Sequence, residues 1–423
     1  MSAASGTRLT RAQSILLLLL VLSIFINYID RGNLSIAAPV LEKELVMTPV
    51  EVGMLLSAFF WTYALCQLVG AAGWLADHFA VPMVLGAGIL IWSGATIATG
   101  LASGFTALFA TRLVLGIGES LAYPCYSRIL ATDFVQHQRG FANALLDAGS
   151  KLGPALGSLV GGLILAHLGW RLLFIILGGV SLLWLVPWSR WMFESKVGPA
   201  CRPRCGAGLL RMLQLRSAWG AFLGHFCGNY YWFFLLTWLP FYLVKQRGFS
   251  VEQMAVITSV AYFAMATGTV IAGWMSDRQI RLGHTPTRVR KAVIVAGLSF
   301  STIILPVAYL QSQFAAIALL LLACIGFGIY TSNHWAVTQT LAGPSMAGRW
   351  TSLQNGIGNL SGVAASLITG YIVQATGSFQ IAFWLASLVV IGAALSWGLI
   401  VGPVAEVEWQ RTVVSPTLEQ GVA

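Results

Sequence analysis

Apolar runs of about 20 to 30 residues recur along the whole chain, separated by short charged or Pro/Gly-rich breaks. A helix crossing the ~30 Å hydrocarbon core of a bilayer needs ~20 such residues. Lipid offers no partners for backbone groups, and the alternation of a membrane barrel strand is missing, so the runs predict helices. Twelve spans are expected, at 14–40, 51–76, 81–101, 105–130, 138–166, 169–192, 216–245, 251–276, 290–310, 313–342, 346–374 and 378–402. The longest polar stretch, 193–215, divides them into two groups of six. The chain therefore reads as an N-terminal six-helix bundle (1–192), a cytoplasmic linker (193–215) and a C-terminal six-helix bundle (216–423).

The two halves echo each other. GWLADH at 73–78 recurs as GWMSDR at 273–278, and Gly153, Gly157 and Gly161 correspond to Gly362, Ser366 and Gly370. The offsets, 200 and 209 residues, are close enough to imply a duplicated unit. Parallel repeats about an axis normal to the membrane are a transporter architecture, with the binding site at midplane between the halves.

Composition agrees with the span pattern: 57% of the 423 residues are hydrophobic and 9% charged, against about 25% charged in average soluble proteins. A soluble enzyme, a nucleic-acid binder and a disordered scaffold are excluded. The net charge of +10 is explained by where the bases fall. With the N-terminus inside, the inner segments hold 17 of the 24 Lys and Arg, and the outer loops hold only Lys43, Arg171, Lys245 and Arg247. That is the positive-inside signature, with both termini cytoplasmic and no nucleic-acid partner needed. Residues 14–26 resemble a signal-peptide core, but the motif that follows them argues for retention as the first span. The six cysteines form no four-ligand set with histidine, so no metal and no cofactor are expected.

Charges inside spans are costly and mark functional sites. Here they are Asp30, Arg31, Arg112, Glu119, Asp147 and Lys151, all in the N-terminal half. The C-terminal half offers uncharged groups instead: Asn229, Tyr230 and Tyr231; Ser332, Asn333, His334 and Trp335; Gln354, Asn355 and Asn359. Arg112 and Glu119 are seven apart and share one helical face two turns apart, so a pair is expected there. Asp147 and Lys151 stand at i, i+4 in the acid-first order that favours an ion pair. The row Gly149, Gly153, Gly157 and Gly161 lies on nearly the opposite face and permits close helix packing. Adjacent Asp30 and Arg31 point ~100° apart and should reach different partners. His225 and His334 read as hydrogen-bonding core residues, and Tyr63 and Trp335 as mid-span aromatics that pack or contact a ligand.

Desolvation disfavours a buried carboxylate's charge unless a cation stands beside it, so protonation and release of that cation can be coupled. A protonated acid would free an arginine for an anionic substrate, which is the logic of symport.

These residues resemble the anion:cation symporter family of the major facilitator superfamily. The similarity spans about 14–402 and rests on NYIDRGNLSIAAP at 27–39, RLVLGIGESLAYP at 112–124, TWLPFYLVKQRGFS at 237–250 and GYIVQATGSF at 370–379. It implies an all-α fold of twelve transmembrane helices in two pseudo-symmetric bundles. It implies proton coupling at Asp30 and Glu119, a substrate carboxylate on Arg31, and Arg112 as the basic partner of Glu119. Tyr63, Ser332, Trp335 and Asn355 fall where polyol hydroxyls would be contacted. Asp77, and Asp277 with Arg278, fall in the gating loops, although the basic residues usual after the first aspartate are replaced by HFAVP at 78–82. Asp147 and Lys151 stand outside the family pattern, and an added cation there suits a dicarboxylate or a different acid.

The expected protein is thus a proton-coupled symporter, not an enzyme, that imports an organic anion such as a hexonate, hexuronate or hexarate. Its setting would be a bacterial inner membrane, its energy source the proton gradient, its partners the anion, the proton and the bilayer, and its state a monomer. A proton antiporter for organic cations would want an acidic cavity, which three bases oppose. A sensor that binds without transporting is the other alternative. An intramembrane hydrolase would need a nucleophile and base or a metal cluster, and neither GxSxG nor HExxH occurs.

Overall fold

The computed structural model describes residues 9–134, 136–194, 207–407 and 409, and every regular element among them is helical. Among the described residues, ten stretches are long and apolar enough to cross a membrane. One of these, Leu145–Arg190, holds two consecutive spans, because the helix Gln136–Leu183 is broken at Gly169, whose φ of 79° only glycine adopts cheaply. The same device separates the two spans of Gln313–Thr376 at Gly343, where φ is 61°. A further long helix, Arg216–Lys245, is absent from the apolar set. It carries His225 and Asn229, which belong to the site described below, and Tyr230 and Tyr231, which do not.

Capping sets the ends of several helices. Thr10 and Gln13 form a capping box at Arg11–Glu44, Thr48 and Glu51 do so at Pro49–Leu68, and Ser250 and Gln253 at Val251–Arg281. The helix after Pro49–Leu68 resumes as Ala71–His78 beyond Gly70, and Phe105–Ser120 resumes as Ala122–Asp133. Pro124 explains the second break, since it has no N–H to give the carbonyl of Ser120.

Small residues let the helices approach. A methyl on Gly153 would sit 2.6 Å from the Phe25 carbonyl oxygen, and one on Gly157 3.1 Å from Ile29, so that glycine row packs on the first helix. The corresponding row in the C-terminal half packs elsewhere. A methyl on Gly362 would meet the Phe60 ring at 2.5 Å, and one on Gly370 the Pro49 carbonyl at 2.7 Å, both on Pro49–Leu68. Large apolar side chains such as Leu65, Leu90, Val180, Val270 and Leu388 remain exposed on the outside of the bundle. Lipid is the solvent such a surface fits.

At the end remote from the N-terminus the halves are locked together. Lys245 pairs with Glu42, the Val50 N–H donates to Gln374 Oε1 at 3.2 Å, and Gly53 and Gly370 bring their helices into backbone contact. Glu44 accepts from Trp170 Nε1 at 2.6 Å and faces Arg171 at 3.7 Å. The opposite side, which carries most of the basic residues, gives the interior its access: the Asp147 side chain is 46% exposed.

Candidate functional site

Between the halves lies a cavity with about 730 Å³ of empty space, part of it continuous with solvent. Arg31 supplies its buried charge. Tyr28 stands one turn before Arg31, and Phe59 and Tyr63 stand one turn apart on the second helix. Helical spacing thus brings three rings around one guanidinium, with centroids 4.8, 5.0 and 4.6 Å from its central carbon. Such stacking fixes the fork and adds cation–π attraction. Arg31 Nε donates to Glu119 Oε2 at 2.8 Å, both side chains being at most 3% exposed, while Arg31 Nη2 has no hydrogen-bond partner. Arg31 lines the cavity and Glu119 stands behind it.

This corrects the expected pairing in part: the hydrogen-bonded cation of Glu119 is Arg31, 88 positions away, while Arg112 acts on it through space without a hydrogen bond. Arg112 is buried beside the Phe59 ring at 5.9 Å, and its Nε has no partner. Asp30 turns away from Arg31. It accepts from Asn33 Nδ2 at 3.1 Å and from Ser181 Oγ at 3.3 Å, buried against the sixth span and outside the cavity lining.

Lys151 Nζ donates to Asp147 Oδ1 at 2.6 Å, and both residues line the cavity. Tyr63, Trp335 and Asn355 line it too. Asn355 Nδ2 donates across the halves to Gln67 Oε1 at 3.0 Å, and its own Oδ1 accepts from Asn359 at 3.2 Å. Ser332 does not line it. Its hydroxyl donates to the Ile329 carbonyl at 2.7 Å and accepts from Asn333, which also donates to Ser276 on Val251–Arg281. The helix turns Ser332 toward that neighbour and Trp335 toward the cavity.

Asp277 and Arg278 sit at the basic side, where Arg278 lies over the Trp274 ring at 5.4 Å and the Asp277 carbonyl accepts from Arg281. The Asp77 side chain lies outside the described residues, as do Cys201 and Cys205. Among the described residues no three His, Cys, Asp or Glu side chains gather as a metal site.

Much of the wall was not singled out by the sequence. Tyr28, Tyr123, Trp232, Phe233, Phe327 and Tyr330 all line the cavity. Aromatics in a span face lipid, core or cavity equally well by pattern, and only the neighbours decide. His225 and His334 are buried and hydrogen-bonded, as expected, and both also form part of this wall.

A helical membrane protein whose halves meet around a charged cavity within the bilayer defines a transporter. Comparison with known proteins gives the family: residues 20–366 match the model of the Major Facilitator Superfamily, and the chain belongs to that superfamily. It is 30% identical to a probable galactarate/D-glucarate transporter of Bacillus subtilis over 96% of each chain. It is 29% identical to the D-galactonate transporter of Escherichia coli O6:H1, over 94% of this chain and 97% of that one. It is 31% identical to a probable sulfoacetate transporter of Cupriavidus necator, over 94% and 96%. Among solved structures, a bacterial homologue of the human lysosomal transporter Spinster, in an inward-facing and unoccupied conformation, superposes with a TM-score of 0.72. At 18% identity, covering 93% of this chain and 95% of that one, it shares the fold.

Proposed function

We propose that the protein is a proton-coupled importer of a sugar acid, a hexonate, hexuronate or hexarate, working by alternating access. The observation that carries this reading is the placement of Arg31: the residue lines the cavity, its buried Nη2 has no partner, and its Nε holds the buried Glu119 behind the wall. An anion entering the cavity competes with Glu119 for that guanidinium. Protonation of Glu119 releases Arg31 to the substrate carboxylate, so proton and anion favour each other's binding. Asp30, hydrogen-bonded but without a cation within ion-pair distance among the described residues, is the second proton site. Lys151, paired with Asp147 at the accessible side, takes the far carboxylate of a dianion. Tyr63, Trp335 and Asn355 contact the chain between.

The transporters to which the chain is similar are named for galactarate/D-glucarate, galactonate and sulfoacetate, and small organic anions are common to all. The proposed setting is a bacterial inner membrane with both termini and the linker cytoplasmic, two six-helix bundles (1–192 and 216–423), a monomer, no cofactor, and the loops around Asp77, Asp277 and Arg278 as gates. Two bases in the cavity wall, Arg31 and Lys151, disfavour an exporter of organic cations.

The test is uptake by the purified protein in liposomes under an imposed inward proton gradient, with a panel of sugar acids, aromatic acids and dicarboxylates. Accumulation that collapses with the gradient supports the proposal. Binding in detergent without flux into liposomes would make the protein a sensor. Uptake insensitive to the gradient would remove the proton from the mechanism.

A further inference from the structure

In the wall formed by the seventh and tenth spans, His225 and His334 stack at 5.1 Å between ring centroids, with Trp335 at 4.9 and 4.8 Å from the two and Tyr330 at 5.1 Å from His334. The hydrogen bonds define the protons. Asn229 Nδ2 lies 3.1 Å from His225 Nε2, and an amide NH2 only donates, so His225 Nε2 carries a lone pair and its proton is on Nδ1. His334 Nδ1 lies 3.0 Å from the Thr331 carbonyl oxygen, which only accepts, so its proton is on Nδ1 and the neutral ring bears a lone pair on Nε2. The other nitrogens, His225 Nδ1 and His334 Nε2, have no partner in the protein although the two residues are 3% and 5% exposed. Buried polar atoms are paired with few exceptions, and these two belong to cavity-lining residues.

We propose that His225 and His334 form a hydroxyl-binding subsite for the transported acid, separate from the carboxylate anchor at Arg31. One nitrogen donates and the other accepts, and a hydroxyl does both. A second carboxylate only accepts and would meet the lone pair of His334, so it goes to Lys151; an ammonium only donates and would meet the N–H of His225. Tyr330, stacked on His334, and Trp335, tilted against both rings, hold the imidazoles and offer apolar faces to the carbon chain of a polyol. Gly358 leaves room for the pair, since a methyl there would lie 2.7 Å from His225 Nε2. The inference rests on the sugar-acid reading and assigns its hydroxyl recognition.

The test compares D-glucarate with adipate, the six-carbon dicarboxylate that lacks the hydroxyls, by competition binding to the purified full chain. The wild type is expected to prefer D-glucarate. His334→Phe should cut that preference by about tenfold, the value of one or two hydrogen bonds, with adipate binding unchanged. His334→Gln, which keeps an acceptor near Nε2, should retain most of it. His225→Phe reads the same preference should His334→Phe fail to fold. Equal weakening for both acids would overturn the subsite and leave a packing role. Retained preference with lost proton-driven accumulation would make the histidines proton carriers instead. A wild type that binds neither of these acids, nor D-galactonate or D-glucuronate, would remove the sugar-acid reading, and the subsite with it; a wild type that prefers D-glucarate through both Phe variants would overturn the subsite alone.

Discussion

Glu119→Gln isolates the step on which the proposed proton coupling depends. The variant keeps the size of the side chain and removes the charge that opposes Arg31. With Nε and Oε2 2.8 Å apart, Coulomb attraction at an effective dielectric of 20 is roughly 6 kcal/mol. Only part of that is transmitted to a ligand, because Arg31 has further N–H groups to offer an anion while still touching Glu119. Coupling energies between linked sites are typically about 1–3 kcal/mol, or about 5- to 150-fold. The sign follows from the linkage: acid protonates Glu119, frees Arg31 and tightens anion binding, so wild-type affinity should fall as pH rises. Glu119→Gln should bind about 5- to 150-fold tighter than wild type at the alkaline end and lose the part of the slope that Glu119 contributes. It should also fold less stably without ligand, since removing one partner of a buried pair costs about 3–5 kcal/mol, and regain its melting temperature when the anion replaces the lost carboxylate. The assay is calorimetric titration with D-galactonate or D-glucarate from pH 5.5 to 8.5, with thermal melts beside it. A Glu119→Gln protein that retains the wild-type pH slope would refute the reasoning.

Arg31→Lys keeps the positive charge but loses the planar fork that fits a carboxylate, and should weaken anion binding by about 100-fold; equilibrium binding with little change would remove Arg31 from the site. Lys151→Ala should lower affinity for dicarboxylates relative to monocarboxylates by about tenfold, and an unaltered competition profile would return the Asp147–Lys151 pair to a structural role. Gly370→Val places side-chain atoms where the Pro49 carbonyl already stands at 2.7 Å, so it should wedge the remote end open. A cysteine at the buried position Ser57 would then become reactive to a thiol reagent added from that side, and unchanged protection would contradict the wedge.

The spans were legible because lipid demands long apolar runs, and the two inter-span breaks at Gly169 and Gly343 fell where residues capable of positive φ interrupt them. The helix Arg216–Lys245 shows the limit. Its apolar character is diluted by the cavity residues His225 and Asn229 together with tyrosines and Pro240 that pack elsewhere, so a helix that lines the site is inconspicuous by hydropathy. The buried charges were legible for the opposite reason: they are rare and expensive in a span. Pairings within one helix followed from spacing, as Asp147 with Lys151 at i, i+4 shows. Spacing also suggested Arg112 with Glu119, and there it misled in part, because the hydrogen-bonded partner lies on another helix and no periodicity reports tertiary neighbours. The ring cage around Arg31 was hidden for the same reason, since Tyr28, Phe59 and Tyr63 are ordinary mid-span aromatics until two helices cross.

As the side chains stand, each base that lines the cavity is already matched by an acid, Arg31 by Glu119 and Lys151 by Asp147. The two pairs differ in what separation costs. Asp147 is half exposed and can trade its lysine for water. Glu119 is fully buried, and an anion that takes Arg31 leaves it only the through-space charge of Arg112, with no ion pair, a penalty of several kcal/mol. A proton removes that penalty and water does not reach it. An anion binding without a proton therefore faces a barrier at Arg31 that it does not face at Lys151. The geometry thus favours coupling at the buried pair and substrate selection at the exposed one. Exchanging their burial, by opening Glu119 to water through a small residue at Phe59, should loosen the dependence of uptake on the proton gradient while leaving selectivity at Lys151 in place. Uptake from Phe59→Ala that stays as tightly gradient-dependent as wild type would show that burial of Glu119 is not what enforces coupling.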